Sequence, residues 1–181
     1  MGKMILVTGG ARSGKSAFAE KLTLQASPHP AYIATAEIWD DEMKHRVALH
    51  KKRRSSVWQT YEAPRDAVLT IVEAGKAHGA ILFDCVTMYL SNMLCRQQEL
   101  LEEKSLEKLT HAEMAALIQA VRELPKEVTF VFVTNEVGAG IVPENKLARF
   151  YRDLAGLANQ QLAAAADEVY AVLCGIPLRL K

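Results

Sequence analysis

An α/β fold with a mostly parallel central sheet is what this sequence predicts, and three observations predict it. Short apolar runs rich in β-branched residues alternate with longer helical patterns along the whole chain. Those short runs are apolar on both faces, so each strand needs helices above and below it, giving three layers. A glycine-rich loop follows the first run and opens a helix, an arrangement typical of open parallel sheets.

Taken in order, Ile5 to Thr8 is the first strand, followed by glycines and a helix from about Ser16 to Gln25. Ser27-Pro28-His29-Pro30 is a turn, because a residue before proline avoids the helical region. Tyr32 to Thr35 is the second strand, and a strongly charged helix is expected from about Asp40 to Arg53. Val57 to Tyr61 reads as a third strand, and Pro64 suits the start of a helix reaching about Lys76. Ala80 to Phe83 is a buried strand ending at Asp84. Val86 to Glu123 is helical with a break around Glu103 to Leu109, and Thr110 with Glu113 has the form of a capping box opening the second half. Val128 to Thr134 is the most apolar strand, and Gly138, Gly140 and Pro143 then make a loop before a helix from about Glu144 to Ala165. Val169 to Leu173 and a short edge strand from Pro177 to Lys181 close the pattern. No repeat, low-complexity tract or linker interrupts residues 1–181, so one domain is expected.

Composition narrows the function classes. Half the residues are hydrophobic and 24% charged, which is globular usage. The 22 basic and 21 acidic residues leave a net charge of +1, which argues against nucleic acid or an anionic membrane as partner. No apolar run reaches the roughly 18 residues of a membrane span, and Met4 to Val7 is too short for a secretory core. Cys85, Cys95 and Cys174 are odd in number, scattered and without CxxC spacing, as expected of reduced thiols in a cytoplasmic protein.

Ligands of such a sheet gather at the carboxyl ends of its strands. Gly9, Gly10, Ala11, Arg12, Ser13, Gly14, Lys15 and Ser16 satisfy G-x-x-x-x-G-K-[ST] directly after a strand. The glycines let successive backbone N–H groups wrap phosphate oxygens, and the helix dipole adds positive potential there. Lys15 is placed to reach the β and γ phosphates, and the Ser16 hydroxyl to ligate Mg²⁺. Asp84, after four apolar residues, reads either as a helix N-cap or as the second magnesium group, and the phosphate loop favours magnesium. A GTPase switch, an ATP-driven motor or binding module, and a metabolic kinase or nucleotidyl transferase all use such a loop. Asn145-Lys146-Leu147-Ala148 lacks the aspartate of a guanine-reading N-K-x-D, and basic surfaces interleaved with aromatics are missing, so a small metabolic enzyme is the default.

Lys44 to Arg54 carries six Lys or Arg residues and no acid. Met43, Val47 and His50 share one helical face there, with His45 well round the helix. Two readings of His50 stand on the pattern: a hydrogen-bonded core histidine beside a solvated basic face, which is the commoner case, or a nucleophile. The second has a physical basis, because nearby cations favour the neutral imidazole and could hold a triphosphate against it.

Four segments together resemble one known family. They are Val7 to Ser16 (VTGGARSGKS), Tyr32 to Ala36 (YIATA), Asp41-Glu42-Met43 with Arg46 and His50, and Val133 to Asn145 (VTNEVGAGIVPEN). They are similar to the bifunctional adenosylcobinamide kinase/adenosylcobinamide-phosphate guanylyltransferases of cobalamin biosynthesis. The resemblance runs from Met4 to near the C-terminus and weakens between Arg96 and His111. It implies a RecA-like P-loop domain that first phosphorylates adenosylcobinamide with ATP or GTP. It then moves GMP from GTP onto that phosphate through a GMP–histidine intermediate, and by motif that histidine falls on His50. The implied nucleotide contacts fall on Gly9 to Ser16, on Ala34, Thr35 and Ala36, on Lys51, Lys52, Arg53 and Arg54, and on Glu62 and Asp84. Mg²⁺ is the implied metal and a homo-oligomer, reported as a trimer, the implied assembly. Glu62 suits an acceptor for guanine or ribose donors, its other reading being a surface strand-end glutamate. Asn135 and Glu136 end the most apolar strand, and their role stays open. The alternatives are a P-loop small-molecule kinase without the transferase step and a nucleotide-binding regulatory module.

Overall fold

The computed structural model describes residues 1–37, 56–95 and 102–181. Its centre is one seven-stranded sheet of β1 (Lys3–Gly9), β2 (Ala31–Ala34), β3 (Gln59–Glu62), β4 (Ala80–Asp84), β5 (Thr129–Asn135), β6 (Glu168–Leu173) and β7 (Ile176–Arg179). The spatial order is β3-β2-β4-β5-β1-β6-β7. Every pairing is parallel except β6 with β7, a hairpin that closes one edge. The helices are α1 (Lys15–Ala26), α2 (Ala67–Ala77), α3 (Val86–Cys95), α4 (Glu103–Arg122) and α5 (Lys146–Ala165).

The two faces of the sheet carry separate cores, because side chains alternate along each strand. Ile5, Val7, Tyr32, Leu82, Val131 and Val133 point to the face that α1 covers through Ala19 and Phe18. Met4, Leu6, Ile33, Ile81, Phe83, Phe130 and Phe132 point to the other, where α2, α4 and α5 supply Ile71, Met114, Leu117, Ala158 and Leu162. The apolar runs seen in the sequence are therefore strands buried on both sides, as a parallel sheet demands. Three phenylalanines knit the second core, with Phe130 and Phe132 ring centres 4.6 Å apart and Phe83 5.3 Å from Phe132.

Most expected elements lie within a few residues of their expected ends, and two readings need correction. The helix expected from Pro64 begins at Ala67, because Asp66 adopts φ 49° and ends the preceding turn. The break expected at Glu103 to Leu109, and the capping box at Thr110, do not exist: α4 runs unbroken through both. Thr110 faces the core at 2% exposure, and Glu113 accepts a hydrogen bond from the Tyr89 hydroxyl instead of capping a helix end. Tertiary contact overrode a local pattern there. The cap that does form is Asn145, whose Oδ1 accepts the Ala148 N–H at 3.0 Å and starts α5. The charged helix expected from Asp40 to Arg53 lies outside the described residues, as does the stretch 96–101.

Candidate functional site

Parallel register brings the predicted site residues to one edge of the sheet. Gly9 pairs with Asn135, Asp84 with Val133, and Ala34 with both Asp84 and Glu62. The carboxyl ends of β1, β2, β3, β4 and β5 thus line up side by side, although their residues are spread over more than a hundred positions of sequence.

The phosphate loop is shaped by missing side chains. A Cβ on Gly9 would stand 2.5 Å from Ser13 Oγ and 2.6 Å from the Val172 carbonyl. Gly14 sits at φ 95° at the head of α1, a conformation that favours glycine. The turn between β6 and β7 braces the loop from behind, with the Gly175 N–H donating to the Ser13 carbonyl at 2.8 Å. Gly10 meets nothing within 4 Å of where a Cβ would be, so that side of the loop is open. Lys15 is buried and its ammonium donates to the Gly10 carbonyl at 3.2 Å, curling back over the loop. The Ser13 hydroxyl is buried with no hydrogen-bond partner among the described residues. An anion wrapped by this loop would meet unused donors and the positive end of α1.

Asp84 lies on the face that α1 covers, since it follows Leu82 by two residues and Leu82 belongs to that core. Its carboxylate is half-buried and accepts the Tyr32 hydroxyl at 2.9 Å. Asp84 and the first turn of α1, with Ser16, are therefore on the same side of the sheet at the same end. A carboxylate and a hydroxyl are hard oxygen donors suited to Mg²⁺, which keeps most of its water and takes few protein ligands. The residues present fit that ion.

Beyond Asp84 the chain is tied by a polar cluster that sequence reasoning missed. The Thr35 hydroxyl accepts the Cys85 N–H at 2.8 Å and donates to the Cys85 carbonyl at 2.9 Å. Asn92 donates to the Thr35 carbonyl at 2.7 Å and to that of Pro64 at 3.2 Å. Asn135 donates to the Thr87 hydroxyl at 2.7 Å, and the Tyr151 hydroxyl to the Thr87 carbonyl at 2.8 Å. Asn159 of α5 completes the set: its Oδ1 accepts the Thr134 hydroxyl and its amide donates to the Asn135 carbonyl. Burial, then the neighbouring Asp84 charge, pushes the Cys85 thiol up to about 11, so Cys85 is an inert packing group. The only sequence signal for this cluster was that small polar residues follow the strand ends.

The predicted residues separate clearly. Gly9 to Ser16, Ala34 to Ala36, Glu62 and Asp84 converge on one edge. Thr35 is fully buried with its hydroxyl engaged on Cys85, Ala34 and Ala36 are half-buried, and Glu62 is exposed. Asn135 has its side chain in the polar cluster, whereas Glu136 closes on its own loop by accepting the Gly138 N–H at 2.9 Å. His50 and Lys51 to Arg54 lie outside the described residues. Cys85, Cys95 and Cys174 are free thiols, and no group of three or more metal-ligating side chains occurs among the described residues.

Comparison with known proteins adds a family and a fold. A family model described as cobinamide kinase/cobinamide phosphate guanyltransferase matches residues 5–180. The chain is 46% identical to the bifunctional adenosylcobalamin biosynthesis protein CobU of Salmonella typhimurium, over 98% of this chain and 99% of that one. It is 44% identical to the protein of the same name from Escherichia coli, with the same coverage. Against the bifunctional adenosylcobalamin biosynthesis protein CobP of Pseudomonas aeruginosa the identity is 37%, over 97% and 96% of the two chains. Among solved structures, an ATPase of a type III secretion system superposes with a TM-score of 0.52 at 12% identity, covering 94% of this chain and 51% of its own. The ATP synthase subunit NeqB from Nanoarcheaum equitans superposes with a TM-score of 0.50 at 9% identity, over 94% of this chain and 45% of its own. These last two speak to fold alone: they share this chain's α/β architecture with its mostly parallel central sheet.

Proposed function

The chain belongs to the cobinamide kinase/cobinamide phosphate guanyltransferase family, and from that premise we propose that it carries out both reactions at the edge just described. In the first, the aminopropanol hydroxyl of adenosylcobinamide attacks the γ-phosphorus of ATP or GTP. The bond from that phosphorus to the β–γ bridging oxygen breaks, the hydroxyl proton is lost, and a nucleoside diphosphate leaves. In the second, the His50 imidazole attacks the α-phosphorus of GTP and pyrophosphate departs. The phosphate of adenosylcobinamide-phosphate then attacks the histidine-bound GMP, freeing the imidazole and giving adenosylcobinamide-GDP.

The observation that carries this reading is full-length similarity coinciding with an intact, correctly folded G-x-x-x-x-G-K-S loop. Backbone N–H groups of Gly9 to Ser16 hold the triphosphate and Lys15 uncurls from the Gly10 carbonyl to meet it. Ser16 and Asp84 would hold Mg²⁺, which supplies charge neutralisation on the phosphates. Lys51 to Arg54 grip the triphosphate while His50 attacks, and Ala34 to Ala36 with Glu62 address the rest of the nucleotide. The same reading includes a homo-oligomer, a trimer by family resemblance, and a cytoplasmic setting. No helix among the described residues is long and apolar enough to cross a membrane.

Incubation with α-labelled GTP tests it: the protein should retain acid-labile, alkali-stable label. His50→Ala should lose that label yet keep ATP-dependent phosphorylation. Label retained by His50→Ala overturns the nucleophile, and a wild-type protein that never takes up label leaves a kinase alone. Lys15→Ala should lower both activities by about a hundredfold, since both need a bound triphosphate.

A further inference from the structure

Asp84 needs something to hold it. It ends a strand whose next residue turns away, its carboxylate is half-buried, and it can rotate about two side-chain bonds. On the neighbouring strand, Tyr32 pairs directly with Leu82 and therefore shares its face with Asp84, two residues further along. The tyrosine lies along that face toward the site. Its ring is buried at 4% exposure in the α1-side core, with the Trp58 ring edge-on at 6.0 Å. Its hydroxyl emerges where the core ends and donates to Asp84 Oδ2 at 2.9 Å. The ring is gripped by packing, so the hydroxyl has little freedom to move away from Oδ2.

We propose that Tyr32 is a positioning residue: by occupying Oδ2 it orients the Asp84 carboxylate and leaves Oδ1 for Mg²⁺ or its bound water. This rests on the reading of Asp84 as a magnesium group. A hydrogen bond to one oxygen of a metal-directed carboxylate removes the rotational freedom that binding would otherwise have to remove. Outer-shell partners of this kind change metal affinity by about 10–100-fold when deleted. Tyr32 is assigned no contact with a reacting atom; its proposed effect runs through its hydroxyl on Asp84.

The test is Mn²⁺ binding, followed through loss of the free-ion electron paramagnetic resonance signal in the presence of guanosine β,γ-imidotriphosphate. Tyr32→Phe keeps the ring and its Trp58 contact and removes one oxygen. It should weaken Mn²⁺ about tenfold, leave metal-free analogue affinity and melting temperature unchanged, and regain near wild-type turnover at raised Mg²⁺. Asp84→Ala should weaken Mn²⁺ at least as much, and adding Tyr32→Phe to it should change nothing further. Mn²⁺ affinity within twofold of wild type in Tyr32→Phe, with Asp84→Ala impaired, overturns this inference alone. A second loss added on top of Asp84→Ala overturns it too, because tyrosine would then act through packing. Normal Mn²⁺ binding by Asp84→Ala instead overturns the magnesium reading of Asp84 on which it stands.

Discussion

The phosphate loop and the polar cluster beyond Asp84 lie at the same end of the sheet and reach their shapes by opposite means. The loop depends on what is absent: Gly9 leaves room for Ser13 and the Val172 carbonyl, and Gly14 takes a positive φ. The cluster depends on what is present: Thr35, Asn92, Thr87, Asn135 and Asn159 each satisfy a group on another element, up to 64 residues away in sequence. A loop made of missing side chains is specified locally and tolerates almost no addition. A cluster made of hydrogen bonds is specified by the sheet that assembles it, and it loses stability one bond at a time.

That contrast can be broken or sharpened by substitution. The largest effect should come from Gly9→Ala, because a carbonyl 2.6 Å from the new Cβ belongs to backbone of β6 and cannot swing aside. Calorimetric titration with a GTP analogue should show binding abolished, and denaturant melts a loss of about 1–3 kcal/mol. Gly10→Ala is the control: with nothing within 4 Å, its stability should stay within about 0.5 kcal/mol of wild type. Equal destabilisation by the two would show that loop shape does not rest on Gly9.

In the cluster the expected effect is on stability without the abolished nucleotide binding. Thr35→Val keeps the volume and strands the Cys85 N–H, which Thr35 Oγ1 now accepts at 2.8 Å. The expected cost is about 1–3 kcal/mol in urea melts, and a stability equal to wild type would mean that the buried amide finds another partner.

The smallest effect is chemical. The Cys85 thiol is raised to about 11 by burial and the Asp84 charge, so at pH 8 it is neutral and its thiolate forms only as pH climbs toward that value. Ellman's reagent at pH 8 should therefore titrate the exposed Cys95 and Cys174 quickly and Cys85 only on unfolding. Thr35→Val, by loosening the turn, should speed Cys85 labelling. Three thiols reacting at one rate in the wild type would contradict the burial of this turn.

How much was legible follows the same division. The apolar runs of β1, β4 and β5 and the loop between Gly9 and Ser16 could be read directly, because strand burial and glycine requirements are written in neighbouring residues. The unbroken course of α4 could not: Thr110 and Glu113 look like a helix start, and only the packing of Thr110 against the core and the Tyr89 hydroxyl on Glu113 decided otherwise. Tyr32 read as one more β residue, and nothing around it marks its hydroxyl as a partner of Asp84.

By itself, then, the sequence determined the fold class, the phosphate loop and the segments by which the family is recognised, since each depends on residues within a turn or two of one another. The tertiary structure alone decided which strand ends meet. Parallel strands pair through long crossovers, so their order β3-β2-β4-β5-β1-β6-β7 is set by packing across the whole chain. That order places Asp84 and Tyr32 on the α1 face and Asn135 beside Gly9, juxtapositions that residue spacing cannot encode.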